Sequence, residues 1–203
     1  MLSRRKLIIG SAASATALLP AAKVLGANTA PYANGRPAPS ERSFRSETID
    51  SLIREVKGKI GDKKLAALFE NCFPNTLDTT VQLGTLEGRE DTFIITGDIN
   101  AMWLRDSCAQ VWPYLPYVKQ DKDLRRLFRG LIHRHATSIL VDPYANAFMR
   151  DPAAKSNLEW SLKDITEMKP GVAERKWEID SLCYSVRLSY GYWKQTGDHS
   201  VFD

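Results

Sequence analysis

Helical periodicity, stretch after stretch, is what most constrains the fold of this chain. In Ser46–Val56 the apolar positions are Ile49, Leu52, Ile53 and Val56; in Lys63–Phe73 they are Leu65, Leu68, Phe69 and Cys72, with Pro74 as a stop. Lys122–Leu140 carries Leu124, Leu127, Phe128, Leu131, Ile132, Ile139 and Leu140, and Glu178–Trp193 is apolar at Ile179, Leu182, Cys183, Val186, Leu188, Tyr190 and Trp193. Steps of three and four place such residues on one side of an α-helix, which must then be buried against a neighbour. A further helix is predicted over Met102–Leu115, disturbed late by Pro113 and Pro116, while Asn157–Met168 reads as helix or loop. Val81–Leu83 and Thr92–Ile95 flank the turn-like Glu87–Asp91 and predict a short β-hairpin. Pro143–Pro152 reads as an extended, structured loop. The expectation is a mainly α domain whose helices are long enough to pack in antiparallel pairs.

The first 30 residues stand apart. Ser3-Arg4-Arg5-Lys6 is followed by a short apolar run rich in Ala, Ser and Gly, and Ala27-Asn28-Thr29-Ala30 supplies small residues for cleavage. The run is too short and too weakly apolar for a membrane span, so no stable membrane anchor is expected. The arginine pair points to a twin-arginine signal and hence to that export machinery as a partner, with a general secretory signal as the alternative. The expected location is periplasmic or secreted. Residues 31–44, punctuated by Pro31, Gly35, Pro37 and Pro39, read as a linker to a domain over 45–203. Of 28 basic residues, Arg4, Arg5, Lys6 and Lys23 lie in the leader with no acid, which leaves 24 bases against 24 acids. A formally neutral mature chain gives no reason to expect a nucleic-acid partner.

Chemistry concentrates in three places. Thr96–Ser107 (TGDINAMWLRDS), with Gln110 a turn on, brings two carboxylates, an arginine, a tryptophan and two amides to one predicted helix start. Unpaired charge is costly to bury, so such a mixture calls for a purpose. Asp98 is placed to cap the helix, while Trp103, Asp106 and Gln110 share a helical face beside Arg105. The second place is Pro143–Phe148 (PYANAF), where Tyr144, Asn146 and Phe148 alternate on a proline-started loop. The third is Arg175–Tyr184 (RKWEIDSLCY), where Trp177, Asp180 and Tyr184 repeat the three-and-four step and Glu178 points toward the helix start. Carboxylates and amides with an aromatic wall suit sugar hydroxyls and the apolar face of a sugar ring. His133 and His135 lie two apart, off a common face, and Cys72, Cys108 and Cys183 lack metal-like spacing. No metal site or cofactor is expected. The cysteines, each among apolar neighbours, are expected as reduced core residues, with one disulfide as the alternative.

The stretches TGDINAMWLRDSCAQVWPYL at 96–115, DPYANAF at 142–148 and KWEIDSLCY at 176–184 resemble glycoside hydrolase family 125, the metal-independent exo-acting α-mannosidases. The resemblance runs over about residues 45–203; Cys108, Trp112 and the Ser185-Val186 continuation depart mildly from the family pattern. It implies an (α/α)6 barrel of the six-hairpin glycosidase type, incomplete here, and removal of terminal α-1,6-linked mannose with inversion. It implies a carboxylic acid and a carboxylate base, without metal or cofactor. It also places the acid in a later motif containing paired aspartates and the base later still, so the chain reads as an N-terminal part and its catalytic residues stay unassigned. Inverting glycosidases hold acid and base about 6.5–9.5 Å apart around a water. Asp98, Asp106 and Asp180 are instead assigned to hydroxyl recognition. With Trp103, Arg105, Gln110, Tyr144, Asn146, Trp177 and Glu178 they form the expected binding set for a mannose-containing oligosaccharide or glycan. Two other readings stay open: a carbohydrate-binding helical domain without hydrolysis, and a lyase on the same barrel. A lyase would need positive charge around an acidic sugar, which this Asp-rich set does not offer.

Overall fold

The computed structural model describes residues 34–202, so the expected signal segment lies outside the described residues. Helices dominate. α1 spans Glu47–Lys59, α2 Lys63–Cys72 and α3 Asn75–Thr79. A hairpin of β1 (Val81–Leu86) and β2 (Arg89–Ile94) follows. Then come β3 (Met102–Trp103), α4 (Leu104–Val111), a 3-10 segment over Trp112–Tyr117 and α5 (Lys122–Val141). β4 (Ala147–Phe148), β5 (Val172–Glu174) and α6 (Ile179–Thr196) complete the regular elements.

Caps explain where the helices start. The Ser46 hydroxyl accepts from the Ile49 amide at 3.1 Å, and Asp121 accepts from the amides of Asp123 and Leu124 at 2.9 Å each. Ser46 Oγ also donates to Asp121 Oδ2 at 2.6 Å, so the starts of α1 and α5 share one contact. α6 ends as its sequence predicts, at Gly197 in the left-handed region with φ 73°. Helix α3 was not expected: Pro74 stops α2 and stands at the cap of the next turn, where its missing N–H costs nothing.

The hairpin turns on Glu87 and Gly88 alone, with φ 52° and 78°, the pattern of a two-residue primed turn. β2 therefore runs through Glu90 and Asp91, which read as turn residues. The reason lies opposite, on α5. Arg134 forks onto Asp91 with bonds of 2.7 and 2.6 Å, and both side chains are 6% exposed. A paired carboxylate can continue a buried strand where a free one cannot. The same interface is tight at Gly130, where an added Cβ would meet Thr92 Oγ1 at 2.5 Å and the backbone of Asp91 and Thr92 at 2.9 Å.

The predicted helix over Met102–Leu115 is shorter than expected at both ends. Met102 and Trp103 pair instead with Phe148 and Ala147, and Ala147 and Phe148 pair in turn with Glu174 and Val172, all antiparallel. The far end passes into the 3-10 segment because Pro113 and Pro116 lack the amides that α-helix would use. Asn157–Met168 is mostly loop, with a single 3-10 turn at Ser161–Lys163. The core gathers Phe93, Ile94, Met102, Leu104, Tyr114, Leu124, Leu127, Phe128, Leu131, Leu188 and Tyr192, all essentially inaccessible to solvent.

In the part of the expected linker that is described, Arg36 binds Asp78 through Nε at 2.7 Å and Nη2 at 3.0 Å, and Phe44 is buried. Those residues pack on the domain. Of the cysteines, none of which is in a disulfide, only Cys108 is buried; Cys72 and Cys183 are exposed, which corrects the expectation of three core residues. Among the described residues no helix is long and apolar enough to cross a membrane.

Candidate functional site

The small sheet β3–β4–β5 is what assembles the site. Each strand belongs to one of the three motifs, or directly precedes it, so pairing them brings together residues 96–107, 142–148 and 172–184. Two further backbone bonds continue the junction: Leu104 N–H donates to Asn146 O at 3.1 Å and Asn146 N–H to Glu174 O at 3.2 Å. α4 and α6 leave this sheet side by side and pack on each other.

At their starts stands an ion cluster. Arg105 Nη1 donates to Asp180 Oδ2 at 2.9 Å and to Glu178 Oε2 at 3.1 Å, and its Nε lies 3.5 Å from Asp106 Oδ2. The hydrogen bond to Asp180 holds the Arg105 guanidinium above its ordinary pKa. Three carboxylates around one guanidinium leave excess negative charge in a partly open position. Two carboxylate oxygens, Asp106 Oδ2 and Asp180 Oδ1, are buried and receive no hydrogen bond from the protein. Glu178 does not turn into the helix start as expected. It is the cap residue of α6, its side chain makes no capping bond, and it faces Arg105.

An aromatic pair stands on the loop beside β4 and the approach to α6. Tyr144 and Trp177 are each 55% exposed, with ring centroids 5.3 Å apart. Residues that sequence reasoning overlooked hold them. Asp142 Oδ1 accepts from the Tyr144 amide at 2.9 Å, and its Oδ2 accepts from Arg175 Nε at 2.7 Å. Arg175 then lies over the Tyr144 ring at 5.5 Å. An Asp two residues before a loop amide is a known turn signature, so Asp142 could have been found.

Asn146 has a different place from the one expected. It is 1% exposed; its Nδ2 donates to Glu174 Oε1 at 2.8 Å and its Oδ1 accepts from the Lys176 amide at 3.1 Å. It ties the motifs together from inside. Glu174, also overlooked, accepts in addition from Trp160 Nε1 at 2.8 Å and Lys176 Nζ at 3.3 Å. Burial pushes its carboxyl up, but these bonds outweigh burial and hold it below its ordinary value. Trp103 packs on a second small apolar cluster with Ala147, Leu158 and Ala173. Gln110 donates from Nε2 to Ile95 O at 3.2 Å, and its Oε1 is buried without a donor. Asp98 does not cap α4: the cap position falls on Trp103, and Asp98 sits exposed on a turn closed by the Thr96–Ile99 bridge.

The structure thus unites Arg105, Asp106, Glu178 and Asp180, joins Tyr144 to Trp177, and uses Asn146 as an internal tie. Among the described residues no three His, Cys, Asp or Glu side chains are grouped to hold a metal ion.

A solved structure of a metal-independent α-mannosidase from Streptococcus pneumoniae, in a non-productive complex with α-1,6-mannobiose, superposes with a TM-score of 0.69 at 42% identity, over 79% of this chain and 37% of that one. The meiotically up-regulated gene 157 protein of Schizosaccharomyces pombe is 42% identical over 174 residues, which is 82% of this chain and 34% of the relative. The chain spans roughly a third of the length of each. The family model for metal-independent α-mannosidases matches residues 62–203. The fold is therefore that of the six-hairpin glycosidases, mainly helical with small sheets. Within that class, the chain belongs to glycoside hydrolase family 125.

Proposed function

We propose that residues 45–203 form part of the sugar-binding wall of an exo-acting α-mannosidase that removes terminal α-1,6-linked mannose, with inversion, from a mannose-containing oligosaccharide or glycan. The observation that carries this reading is the trio of Asp106, Glu178 and Asp180 around Arg105 in a partly open position, where Asp180 Oδ1 receives no hydrogen bond and Asp106 Oδ2 has only the 3.5 Å ion pair with Arg105 Nε. Buried acceptors are stable only when something donates to them, and sugar hydroxyls are donors of the right kind. Arg105 fixes the carboxylate rotamers, and an oriented carboxylate can hold the sugar ring in a reactive pose. The exposed Tyr144–Trp177 pair offers apolar faces for a neighbouring sugar.

No proton donor or base is assigned among these residues. In the whole protein that pair is proposed to come from motifs outside residues 1–203, acting on opposite faces of the sugar. The leader with Arg4 and Arg5 supports a periplasmic or secreted location reached by twin-arginine export. Changing both to Lys keeps the charge and is expected to stop export; undiminished periplasmic accumulation would point to the general secretory route.

The function is tested in the full-length protein by following mannose release from α-1,6-mannobiose and the anomer first formed by NMR. Asp106→Asn and Asp180→Asn are each expected to lower kcat/KM by roughly 100-fold, about 2.7 kcal/mol. Unchanged kinetics in both variants would remove them from the site, and initial release of the α-anomer would contradict inversion.

A further inference from the structure

A buried imidazole joins the helices beneath the cluster. His135, on α5, is 2% exposed and bridges the two helices that carry the cluster. Its Nε2 lies 2.8 Å from Ser107 Oγ on α4, and its Nδ1 lies 3.0 Å from Ser185 Oγ on α6. Ser107 is wholly buried and follows Asp106 directly; Ser185 is 6% exposed and sits little more than a turn beyond Asp180.

The hydroxyls decide the direction of these bonds. Ser107 Oγ has a strong backbone acceptor, Trp103 O at 2.7 Å, so its single proton goes there and its oxygen accepts from His135 Nε2–H. A neutral imidazole carries one proton, so Nδ1 is then bare and accepts from Ser185 Oγ–H, whose other partner, Ser181 O, is farther away at 3.1 Å. The result is a chain of donors from α6 through α5 to α4, ending on the carbonyl of Trp103 at the β3–α4 junction. Ser107 is too buried, and its proton too firmly placed, to act as a nucleophile.

We propose that His135 is a positioning residue: through Ser107 and Ser185 it holds the starts of α4 and α6 at one separation and so sets the spacing of Arg105 and Asp106 against Glu178 and Asp180. Three helices meet at this ring, and among the described residues no other side chain bonds to both Ser107 and Ser185. Imidazole is rigid, so the two hydrogen bonds fix a distance, which flexible side chains in the same space would not do. What the cluster binds rests on the mannose reading; that His135 spaces it does not.

The test separates the two. In 15N spectra of this chain, His135 is expected as the neutral ring with the proton on Nε2. The Arg105 Nε–H signal is the gauge of the cluster. Ser185→Ala is expected to shift that signal and speed its exchange with water several-fold, and Ser185→Thr, which keeps the hydroxyl, to restore it. His135→Phe should act as Ser185→Ala does; if it fails to fold, Ser107→Ala carries the same test. Leu188→Ala on α6 loosens the helix without touching the chain of donors, and is expected to leave the Arg105 signal in place.

In titrations with α-1,6-mannobiose, Ser185→Ala is expected to weaken binding about tenfold, with the Ser107→Ala and Ser185→Ala effects non-additive because they break one chain. An Arg105 signal unmoved in folded Ser185→Ala and Ser107→Ala would overturn the proposal, as would an equal shift in Leu188→Ala. A shifted Arg105 signal in a protein whose full-length wild type does not bind mannobiose would support the positioning role and defeat the mannose reading.

Discussion

At the scale of single residues, the described structure depends on polar groups buried only because they are matched. Asp91 and Arg134 are the clearest case, forked together beneath the hairpin, with Arg134 Nη1 also donating to Arg150 O at 3.1 Å. Removing one partner leaves the other charge stranded, so Asp91→Ala is expected to cost about 3 kcal/mol in urea unfolding. Replacing both by apolar residues of similar volume is expected to recover most of that loss. If Asp91→Ala is instead neutral, the pair contributes nothing to the fold. Gly130→Ala tests the same interface by size. Its Cβ collides with backbone atoms at 2.9 Å, which cannot swing aside, so the substitution is expected to destabilise despite alanine's better helix propensity.

The elements show which parts of this architecture a sequence displays and which it hides. α1, α2, α5 and α6 fall where the three-and-four apolar steps put them, because each is long enough to repeat its pattern several times. The sheet that gathers the three motifs is hidden. β3 and β4 have two residues each and β5 has three, too few to show alternation. Their pairing comes instead from backbone bonds and from the buried Asn146–Glu174 contact. The composition of the candidate site was legible, since Arg105, Asp106, Glu178 and Asp180 all stood out as charges at helix starts. Their mutual geometry was not. The cap assigned to Asp98 failed because β3 intervenes before α4, and Glu178 turned out to face Arg105 because the two helix starts are adjacent. Asn146→Ala is expected to cost about 2 kcal/mol, since it leaves the Lys176 amide and one Glu174 oxygen without a partner. Thermal unfolding that matches wild type would show that the sheet does not need this tie.

For the molecule as a whole, acidity is the condition that most separates folded from unfolded. Burial lowers the His135 pKa to about 3, against 6.5 ordinarily. The unfolded chain therefore takes up a proton on His135 below pH 6.5 that the folded one refuses, and stability falls as the pH drops from there toward 3. The slope approaches about 1.4 kcal/mol per pH unit below pH 6, which makes about 2 kcal/mol between pH 7 and 5. Below about pH 4 the carboxylates add to it. Burial raises the Asp121 carboxyl, but hydrogen bonds from Ser46, Leu124, Thr48 and Asp123 hold it below its ordinary value. Bonds from Ser200 and Tyr192 bring Asp198 to about 2. Both contribute stability that is present above the unfolded pKa and lost as pH falls through the folded one. Unfolding curves at pH 7 and pH 5 should show the loss in wild type, and His135→Phe, if it folds, should remove most of it.

The carboxylates braced by Arg105 are proposed as acceptors for mannose hydroxyls. Calorimetric titration of α-1,6-mannobiose into the full-length wild type, Asp106→Asn and Asp180→Asn decides this. Binding to wild type is expected to weaken at least tenfold in each variant, with folding intact by circular dichroism. Equal affinity in all three proteins would contradict it.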